Sequence, residues 1–492
     1  MSADQPVLAD SESPPRWEYQ ESRENPSLAA VRDRYGLWID GGEVEPLSQK
    51  WFPSIEPATE DHLAMVAEAG SSDVDRAVRS ARDAAGDWAT RPAGDRAKFL
   101  FRIARLIQER SRELAVLDTR DGGKPIREAR DIDLPLVAAH FFYHAGWADK
   151  LDYAFAGVNP QPLGVVGQVI PWNFPLLMAA WKVAPALATG NTVVLKPAET
   201  TPLSALRLAE IAADAGLPPG VLNVIPGAGR TGADLVSHRG VDKVAFTGST
   251  EVGKQIRRRL AGTGKPLTLE LGGKGAHVVF EDAPMDQAVE GVVNGIFFNQ
   301  GQVCCAGSRL LVQESVAADF VQRLRRRLLT LRVGDPLDKN TDVGAINSAA
   351  QLEKITGLVE AGRSEGAQIY QPPCQLPDRG YWFPPTLFTE VSQSHRIAQE
   401  EIFGPVLSIL TFRTPTEAVE RANNTPYGLA SGVWTAKGSR ILWMADQLAS
   451  GVVWANTYNQ FDPASPFGGV KESGFGREGG RHGLAAYLKG MG

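Results

Sequence analysis

The chain has few cysteines and lacks a long uninterrupted apolar run. Only three cysteines occur among 492 residues, and Cys304 and Cys305 are adjacent, so no disulfide framework is expected. No apolar stretch is long enough to span a bilayer. Asp4, Asp10 and Glu12 precede any apolar stretch, which argues against a secretory signal. These absences predict a protein of the reducing cytoplasm, without a membrane partner.

An excess of basic charge is missing as well. The net charge is -6 with both signs interspersed, which argues against a nucleic-acid partner. The arginine runs at 257–259 and 325–327 are expected on solvated helix faces. No C-x-x-C pair occurs and the seven histidines are scattered, so no metal centre is predicted. Composition is that of a soluble globular protein, long enough for about three domains.

Hydrophobic periodicity predicts the organisation of the chain. Residues 1–35 are rich in Pro, Ser and charge without periodicity, and predict a mobile tail. Helical patterns follow at 72–85 and 95–118. From residue 164 short apolar strands alternate with helices, and a second such stretch runs from about residue 273 to 467. This alternation predicts a mainly parallel sheet with helices on both faces, the architecture that binds dinucleotides.

Two motifs place a thiol and a carboxylate within about one secondary-structure unit of each other. Residues 269–274 read LELGGK, and residues 297–307 read FFNQGQVCCAG. Cys304 is a candidate nucleophile, because a cysteine thiolate attacks carbonyl carbons readily. Glu270 is a candidate general base that activates water against the resulting thioester. The competing interpretation is that both cysteines are buried small hydrophobic residues.

The two motifs resemble the active-site signatures of the NAD(P)-dependent aldehyde dehydrogenase superfamily, and nearly the whole chain follows that family's pattern. The resemblance implies an α/β fold with a Rossmann-type dinucleotide-binding domain, an α/β catalytic domain and a reduced oligomerisation element. The NAD-binding domain is expected at 36–150 and 164–272, and the catalytic domain at 273–467. Residues 151–163 and 468–492 are expected to be oligomerisation or bridging segments.

The resemblance also implies a mechanism. Cys304 would attack an aldehyde, a hydride would pass to NAD, and Glu270 would deprotonate the water that hydrolyses the thioester. Relatives that transfer the acyl group to coenzyme A lack this Glu, so a carboxylic acid product is expected. The segment 170–175, IPWNFP, resembles the oxyanion-hole segment, with Asn173 as side-chain donor. Asn173 could instead cap the helix that begins near Pro175.

Two glycine-rich turns compete for the cofactor phosphates. Residues 227–232 form a literal G-x-G-x-x-G, while residues 246–253 run from a strand into a helix N-terminus. The resemblance favours the second for the pyrophosphate and places the first near the adenosine. Glu199 would accept hydrogen bonds from ribose hydroxyls and repel a 2′-phosphate, so NAD is preferred and NADP remains possible.

The resemblance assigns further cofactor contacts. Glu401 would bind the nicotinamide ribose, Phe403 would pack on the nicotinamide, and Gln351 would be a further ribose contact, although each fits an ordinary helix-end role. Glu478 would be a second base or a structural ion-pair partner. The complete cofactor set is Ile170, Trp172, Lys196, Glu199, Gly229, Thr247, Gly248, Ser249, Val252, Leu271, Gln351, Glu401 and Phe403.

The substrate tunnel placed by the resemblance has apolar walls. Its residues are Phe174, Met178, Trp181, Val303, Phe461 and Phe467. No Arg lies among them, so an apolar aliphatic or aromatic aldehyde is expected rather than an acid semialdehyde. Asp462 leaves a cationic substrate open, so a betaine-aldehyde or aminoaldehyde dehydrogenase is the alternative. A low-activity binding protein of this fold would be expected to lose the thiol or Glu270, and both are present.

Two departures from the family pattern concern assembly. Only residues 151–163 stand where relatives have a two-stranded oligomerisation excursion, and the sequence ends where relatives continue into one more strand. These pieces pair across subunits in the family, so a homodimer or a monomer is expected rather than a tetramer. The shortened pattern resembles the sixteenth subfamily of aldehyde dehydrogenases, whose module can be joined to a second one.

Overall fold

Residues 20–491 are described by this computed structural model, and their strands form two large sheets and a small one. The strands are β1 (Arg34–Tyr35), β2 (Leu37–Ile39), β3 (Gly42–Val44), β4 (Trp51–Ile55), β5 (His62–Ala67), β6 (Val165–Val169), β7 (Thr192–Lys196), β8 (Leu222–Val224), β9 (Lys243–Thr247), β10 (Leu267–Glu270), β11 (Ala276–Val279), β12 (Arg309–Gln313), β13 (Gln368–Tyr370), β14 (Thr386–Thr389), β15 (Val406–Phe412), β16 (Ala430–Trp434), β17 (Val452–Ala455) and β18 (Gly474–Phe475).

The helices surround these sheets. They are α1 (Ser71–Thr90), α2 (Ala93–Glu109), α3 (Ser111–Gly122), α4 (Ile126–Glu128), α5 (Leu134–Trp147), α6 (Leu151–Ala154), α7 (Pro175–Ala188), α8 (Leu203–Asp214), α9 (Gly229–Ser237), α10 (Thr250–Leu260), α11 (Met285–Phe297), α12 (Glu314–Leu328), α13 (Ala349–Ser364), α14 (Arg396–Gln399), α15 (Pro415–Asn423), α16 (Gly438–Gln447) and α17 (Gly480–Ala485). A π-helical stretch, Ala129–Asp133, joins α4 to α5. Within the described chain, no helix is long and apolar enough to cross a membrane.

The first large sheet has the order β18-β10-β9-β6-β7-β8-β2-β3. Its central strands, from β10 to β8, are parallel. Every residue of β7 and β9 is buried, as expected for parallel strands covered by helices on both faces. This is the nucleotide-binding architecture that the strand–helix alternation predicts.

The second large sheet has the order β13-β14-β15-β12-β11-β16-β17. Its strands are parallel except for β13, which pairs antiparallel with β14. The chain passes from β10 of the first sheet to β11 of the second through residues 271–275. The end of β10 therefore lies at the junction of the two sheets, where Glu270 is its last residue.

The small sheet, β1-β5-β4, corrects the expectation of a mobile tail over residues 1–35. Residues 1–19 lie outside the described chain. Beyond them, Glu24 is only 6% exposed, and its backbone N–H donates to the carbonyl of Leu337 at 2.8 Å. Arg34–Tyr35 pairs with β5 in parallel. Residues 20–35 thus pack on the folded chain. The polar composition of this segment gave no indication of these few contacts.

A second difference concerns the helix predicted over 95–118. The structure breaks it into α2 and α3 at Arg110, whose ψ of 15° departs from helical geometry. Apolar residues keep helical spacing on both sides of this break, so the periodic pattern conceals it.

The two segments predicted to bridge subunits contact each other within one chain. Pro162 and Leu488 form an antiparallel bridge, and the backbone N–H of Lys489 donates to Gln161 at 2.8 Å. Further along the C-terminal segment, β18 pairs antiparallel with β10, placing Gly474 opposite Glu270. The C-terminal segment therefore completes the first sheet beside a candidate catalytic residue.

Candidate active site

Cys304 follows an unusual turn at the end of α11. The 3₁₀ turn Phe298–Gly301 contains Asn299 with φ 46° and Gln300 with φ 54°, followed by Gly301 with φ 71°. A Cβ on Gly301 would lie 2.1 Å from the carbonyl oxygen of Gly404, so the close approach requires glycine. Left-handed backbone at consecutive non-glycine residues is strained and indicates a functional constraint.

Buried hydrogen bonds from a neighbouring loop hold this turn. The side-chain amide of Gln300 donates to Ala345 at 2.9 Å and accepts from the backbone of Gly344 at 3.2 Å. The backbone N–H of Asn347 donates to the side chain of Gln302 at 2.9 Å. The loop that carries Cys304 is consequently fixed by side chains from its own glutamine-rich motif.

Cys304 itself is half-buried, while its neighbour Cys305 is buried. The contact with the Cys305 thiol raises the pKa of Cys304 well above its ordinary value, and burial and the carboxylate of Glu401 raise it further. Tyr458 donates its hydroxyl to the carbonyl of Cys305 at 2.8 Å. In this arrangement Cys304 is a protonated thiol at neutral pH, and the bond from Tyr458 helps to fix the loop that carries it.

Asn173 contacts the nucleophile loop directly. Its side-chain Nδ2 donates to the carbonyl of Gln302 at 2.8 Å, and the residue is 5% exposed. The alternative role as a helix cap is wrong, because Phe174 occupies the N-cap position of α7 and no side chain caps that end. One Nδ2 hydrogen is thus used for the loop, and the second remains to be donated.

Glu270 is 4% exposed, and neither of its oxygens has a hydrogen-bond partner among the described residues. Burial raises the pKa of Glu270 well above its ordinary value, and the nearby carboxylate of Glu478 raises it further, against the opposing charge of Lys182. Glu478 and Lys182 form a buried ion pair, as the structural interpretation of Glu478 predicts. The carboxyl of Glu270 therefore holds its proton more tightly than an ordinary carboxyl does.

One cavity of about 180 Å³ brings the three catalytic candidates together with the predicted tunnel. Cys304, Glu270 and Asn173 line it, as do all six residues assigned to the substrate. The rings of Trp181, Phe461 and Phe467 lie within 5.7–6.0 Å of one another, centroid to centroid. The catalytic groups thus face an aromatic channel.

Sequence reasoning missed several walls of this cavity. They are Ile132, Asp133, Leu136, Leu177, Phe298, Lys354 and Leu429. Phe298 stacks on Phe174 with ring centroids 6.0 Å apart. It belongs to the sequence motif that contains Cys304, so the motif could have indicated it as a wall residue. Asp133, by contrast, ends the π-helical stretch, whose periodicity gives no sequence signal.

Eight predicted cofactor residues line the same cavity: Trp172, Thr247, Gly248, Ser249, Leu271, Gln351, Glu401 and Phe403. The buried hydroxyl of Thr247 has no hydrogen-bond partner among the described residues, so a polar ligand would satisfy it. Ser249 caps α10 by accepting from the backbone of Val252 at 3.4 Å. The strand end and helix N-terminus fit a dinucleotide phosphate.

The predicted nicotinamide contacts form a second group. A side-chain oxygen of Glu401 accepts from the backbone of Gly273 at 2.9 Å. Gln351 donates to the backbone carbonyls of Ile402 and Phe403 at 3.1 and 2.8 Å. Phe403 has φ 59° and meets Trp172 edge to face with centroids 5.2 Å apart. Gln351 thus fixes the backbone of the strained Phe403.

The five remaining cofactor candidates, Ile170, Lys196, Glu199, Gly229 and Val252, do not line this cavity. Lys196 is 4% exposed and pairs with Glu199 at 3.1 Å, and its backbone carbonyl accepts from Ile170. Gly229 begins α9 at the first glycine-rich turn. Lys196 ends β7 and Ile170 directly follows β6, so these two residues stand at strand ends, where dinucleotide-binding sheets hold their ligands. Val252 lies in the first turn of α10.

One histidine spacing was overlooked at the sequence level. His140 and His144 stand four residues apart on α5, the H-x-x-x-H spacing of many metal-binding helices. Both rings are buried, and burial lowers the pKa of His144 to about 4. They stack with centroids 6.0 Å apart. Across residues 20–491, no group of three or more His, Cys, Asp or Glu side chains could hold a metal ion.

Comparisons with known proteins identify the family of this chain. The model of the aldehyde dehydrogenase family matches residues 44–490. The chain is 46% identical to the putative aldehyde dehydrogenase DhaS of Bacillus subtilis, over 92% of this chain and 94% of DhaS. It is 47% identical to the mitochondrial aldehyde dehydrogenase of Sus scrofa, over 92% of this chain and 89% of that protein.

Two solved structures extend the likeness to the fold. An aldehyde dehydrogenase from Bacillus cereus, solved as its NAD+ complex, is 41% identical with a TM-score of 0.91, covering 96% of this chain and 98% of its own. The indole-3-acetaldehyde dehydrogenase AldA of P. syringae is 40% identical with a TM-score of 0.90, covering 94% and 96%.

This chain belongs to the aldehyde dehydrogenase family. The predicted family, fold class and enzyme class are thereby confirmed, and the protein is an oxidoreductase acting on aldehydes.

Proposed function

We propose that Cys304, Asn173 and Glu270 carry out the two halves of the reaction in this aldehyde dehydrogenase, which oxidises an aldehyde with NAD. The observation that carries the proposal is their convergence on one cavity that also holds Glu401 and Phe403. A nucleophile, an amide donor and a carboxylate around one small volume form the constellation that acyl transfer and hydrolysis require.

In the first half, the thiol of Cys304 releases its proton to solvent, and the resulting thiolate forms a bond to the aldehyde carbon as the C=O π bond breaks. The carbonyl oxygen becomes an oxyanion and accepts the remaining Nδ2 hydrogen of Asn173 together with the backbone N–H of Cys304. Asn173 needs no reorganisation, because its amide is already held by Gln302. The bound dinucleotide supplies an acceptor for the hydride that leaves the adduct, and a thioester remains on Cys304.

In the second half, Glu270 removes a proton from water, whose oxygen attacks the thioester carbon. The carbon–sulfur bond then breaks, the thiolate of Cys304 leaves, and the carboxylic acid is released. Glu270 acts as a base only in its ionised form, and burial, which raises its pKa, opposes that ionisation. The positive charge of Lys182 lowers the pKa of Glu270 and thus favours that loss.

NAD fits the predicted crevice. Thr247, Gly248 and the N-terminus of α10 would hold the pyrophosphate, Lys196 and Glu199 the adenosine ribose, and Glu401 the nicotinamide ribose. The carboxylate of Glu199 is 48% exposed beside the buried ammonium of Lys196, so it is accessible to a ribose. A 2′-phosphate would be repelled there, which favours NAD over NADP.

The substrate is an apolar aliphatic or aromatic aldehyde. The aromatic channel and the apolar Leu136 and Leu177 support this class. The alternative, a betaine or amino aldehyde, depends on Asp462, but that residue is exposed, does not line the cavity, and its carboxylate accepts from the backbone of Ala464 at 2.7 Å. A low-activity binding protein is disfavoured, because the thiol and the carboxylate face one cavity.

The enzyme acts as a homodimer in the cytoplasm. Tyr153 and Val158, 82% and 49% exposed, make an apolar surface on the shortened segment 151–163, which supports an interface between copies. A reducing compartment keeps the three free cysteines as thiols. Light scattering on a size-exclusion column tests the dimer, and a monomer at micromolar concentration would contradict it. Membership of the sixteenth subfamily stays a prediction.

The first experiment follows NADH absorbance with purified protein, NAD and a panel of short, long-chain, aromatic and amino aldehydes, repeated with NADP. We expect the highest kcat/KM with apolar aldehydes and NAD, and no activity for Cys304→Ser. A preference for amino aldehydes would replace the proposed substrate class. Activity that survives Cys304→Ser would overturn the proposed mechanism.

A further inference from the structure

A chain of three hydrogen bonds connects a buried carboxylate to the proposed oxyanion donor. Glu128 accepts from the backbone N–H of Asn299 at 2.8 Å. The side-chain Nδ2 of Asn299 donates to the carbonyl of Asn173 at 2.8 Å, and Nδ2 of Asn173 donates to the carbonyl of Gln302 at 2.8 Å. All four residues are at most 5% exposed, so water does not compete for these bonds.

The first bond acts at the most strained point of the nucleophile loop. Asn299 and Gln300 both have left-handed backbone, which costs about 1 kcal/mol for each non-glycine residue. At this point α11 has ended, and the N–H of Asn299 donates to the carboxylate of Glu128. Burial raises the pKa of Glu128 to about 8, so its carboxyl accepts this bond mainly as the neutral acid at neutral pH. The bond still satisfies an N–H that would otherwise be buried without a partner.

Glu128 lies outside the reacting volume. It ends the short helix α4 and does not line the cavity, so it touches neither substrate nor cofactor there. Its surroundings contain the charges of Lys124, Asp133 and Arg127, and Lys124 is ion-paired with Asp133. Lys124 also lies over the ring of Phe174, 4.1 Å from the centroid, so this buried group packs against the tunnel wall.

We propose that Glu128 is a positioning residue, which holds Asn299 and through it sets the position of Asn173 relative to Cys304. Without the carboxylate, the N–H of Asn299 would be buried and unsatisfied, and the turn would relax toward ordinary backbone geometry. The amide of Asn173 would then shift away from the developing oxyanion, where small displacements have large kinetic effects. The inference rests on the proposed roles of Asn173 and Cys304.

The test compares Glu128→Ala with Glu128→Gln in the full chain. Glu128→Ala should lower kcat by about 10²-fold, a typical loss for misplacing a catalytic group, with the KM for NAD changed less than about 2-fold. Glu128→Gln should restore most of kcat, because its amide oxygen can accept the same N–H. A merely structural carboxylate, such as buried Glu56 paired with Arg120, should on substitution by Ala lower the melting temperature and leave kcat unchanged.

A second variant keeps the proposal testable if Glu128→Ala does not fold. Asn299→Gly keeps a residue that tolerates left-handed backbone, and it keeps the N–H that donates to Glu128. It removes the side-chain bond to Asn173 at 2.8 Å together with the longer contacts to Gln302 and Gln300, at 3.3 and 3.5 Å. Its kcat should fall by at least about 10-fold, again with an unchanged KM for NAD. Wild-type kcat in either Glu128→Ala or Asn299→Gly would overturn the proposal, as would an equal loss in Glu128→Ala and Glu128→Gln.

The variant Asn173→Ala distinguishes failure of the Glu128 proposal from failure of the proposed oxyanion role of Asn173, on which it rests. If Asn173→Ala retains kcat, the proposed oxyanion role fails, whatever the Glu128 variants do. If Asn173→Ala loses kcat while Glu128→Ala does not, the oxyanion role stands and the positioning role of Glu128 fails.

Discussion

At the scale of single residues, the active site disfavours the ionised forms in which Cys304 and Glu270 react. The contact with Cys305 raises the pKa of Cys304, and burial raises the pKa of Glu270, so both groups hold their protons more tightly than usual. Reaction therefore requires two deprotonations, and the rates of both half-reactions should rise with pH.

Replacing Glu270 by Gln should separate the two halves of the reaction. The amide cannot remove a proton from water, so the acyl thioester should accumulate on Cys304. We expect a near-stoichiometric burst of NADH followed by steady-state turnover lowered by about 10²–10⁴-fold. Rapid-mixing absorbance and the intact mass of the acyl-enzyme measure this. Cys304→Ser is the control without a burst, and normal steady-state turnover in Glu270→Gln would exclude its role as base.

Replacing Cys305 by Ala should make Cys304 more reactive. The contact with Cys305 is the largest cause of the raised pKa, so its removal should lower that pKa and increase the thiolate fraction at a given pH. Alkylation of Cys304 by iodoacetamide, followed by peptide mass spectrometry, should be faster than in wild type at neutral pH and should rise with pH in both. Half-buried Cys374 is the internal control, and its rate should not change.

At the scale of elements, the turn between α11 and Cys304 is the least ordinary piece of structure in the site. The sequence motif of this turn could be recognised, but the left-handed backbone of its three residues could not be predicted from it. Asn299 and Gln300 carry no local signal for this backbone, which depends on Glu128 and on the loop of Ala345 far away in sequence. Tertiary contacts override local preference here, as expected at a functional site.

Gly301→Ala should show what this turn contributes. The added Cβ would meet the carbonyl of Gly404, 2.1 Å away, in addition to its left-handed backbone cost. We expect a loss of about 3 kcal/mol in the free energy of unfolding, with a large fall in kcat. Gly262→Ala is the matched control, since Gly262 has φ 77° with open space around it, and it should lose only about 1 kcal/mol. Urea denaturation measures both.

The regular elements were predictable from the sequence to within a few residues. The strands β6, β7 and β9 are short, largely apolar segments bounded by turn residues, and nearly all of their residues are buried. The break at Arg110 was missed because apolar residues keep helical spacing on both sides of it. The π-helical stretch Ala129–Asp133 was missed because its mostly polar sequence has no periodicity that distinguishes it. Glu128 was missed for a related reason, since a lone Glu in a short helix has no motif.

At the scale of the whole molecule, the C-terminal segment ties the two large sheets together. The hydroxyl of Ser473 donates to the carbonyl of Gly272 at 2.7 Å and accepts from the backbone of Gly428 at 2.9 Å. Gly272 follows β10 of the first sheet, and Gly428 precedes β16 of the second. Ser473 is fully buried, so one side chain joins both halves of the site.

Ser473→Ala should weaken this junction. Two buried backbone groups would lose their partner, which should cost about 2–3 kcal/mol in the free energy of unfolding. The KM for NAD should rise, because Gly273, the next residue, donates to Glu401. Ser364→Ala, at the exposed end of α13, should change neither quantity. Chemical denaturation and NAD titration provide the measurements, and an unchanged KM would show that the junction does not reach the cofactor site.

The pairing of β18 with β10 also fixes an order of events during synthesis. The first large sheet contains β2 and β18, and about 430 residues are synthesised between these two strands. Until residue 475 leaves the ribosome, the outer edge of β10 is unpaired and the strand that ends in Glu270 lacks its neighbour. From the synthesis of β10 to that of β18, about two-fifths of the chain, the nascent protein thus carries an open sheet edge, a state that invites aggregation.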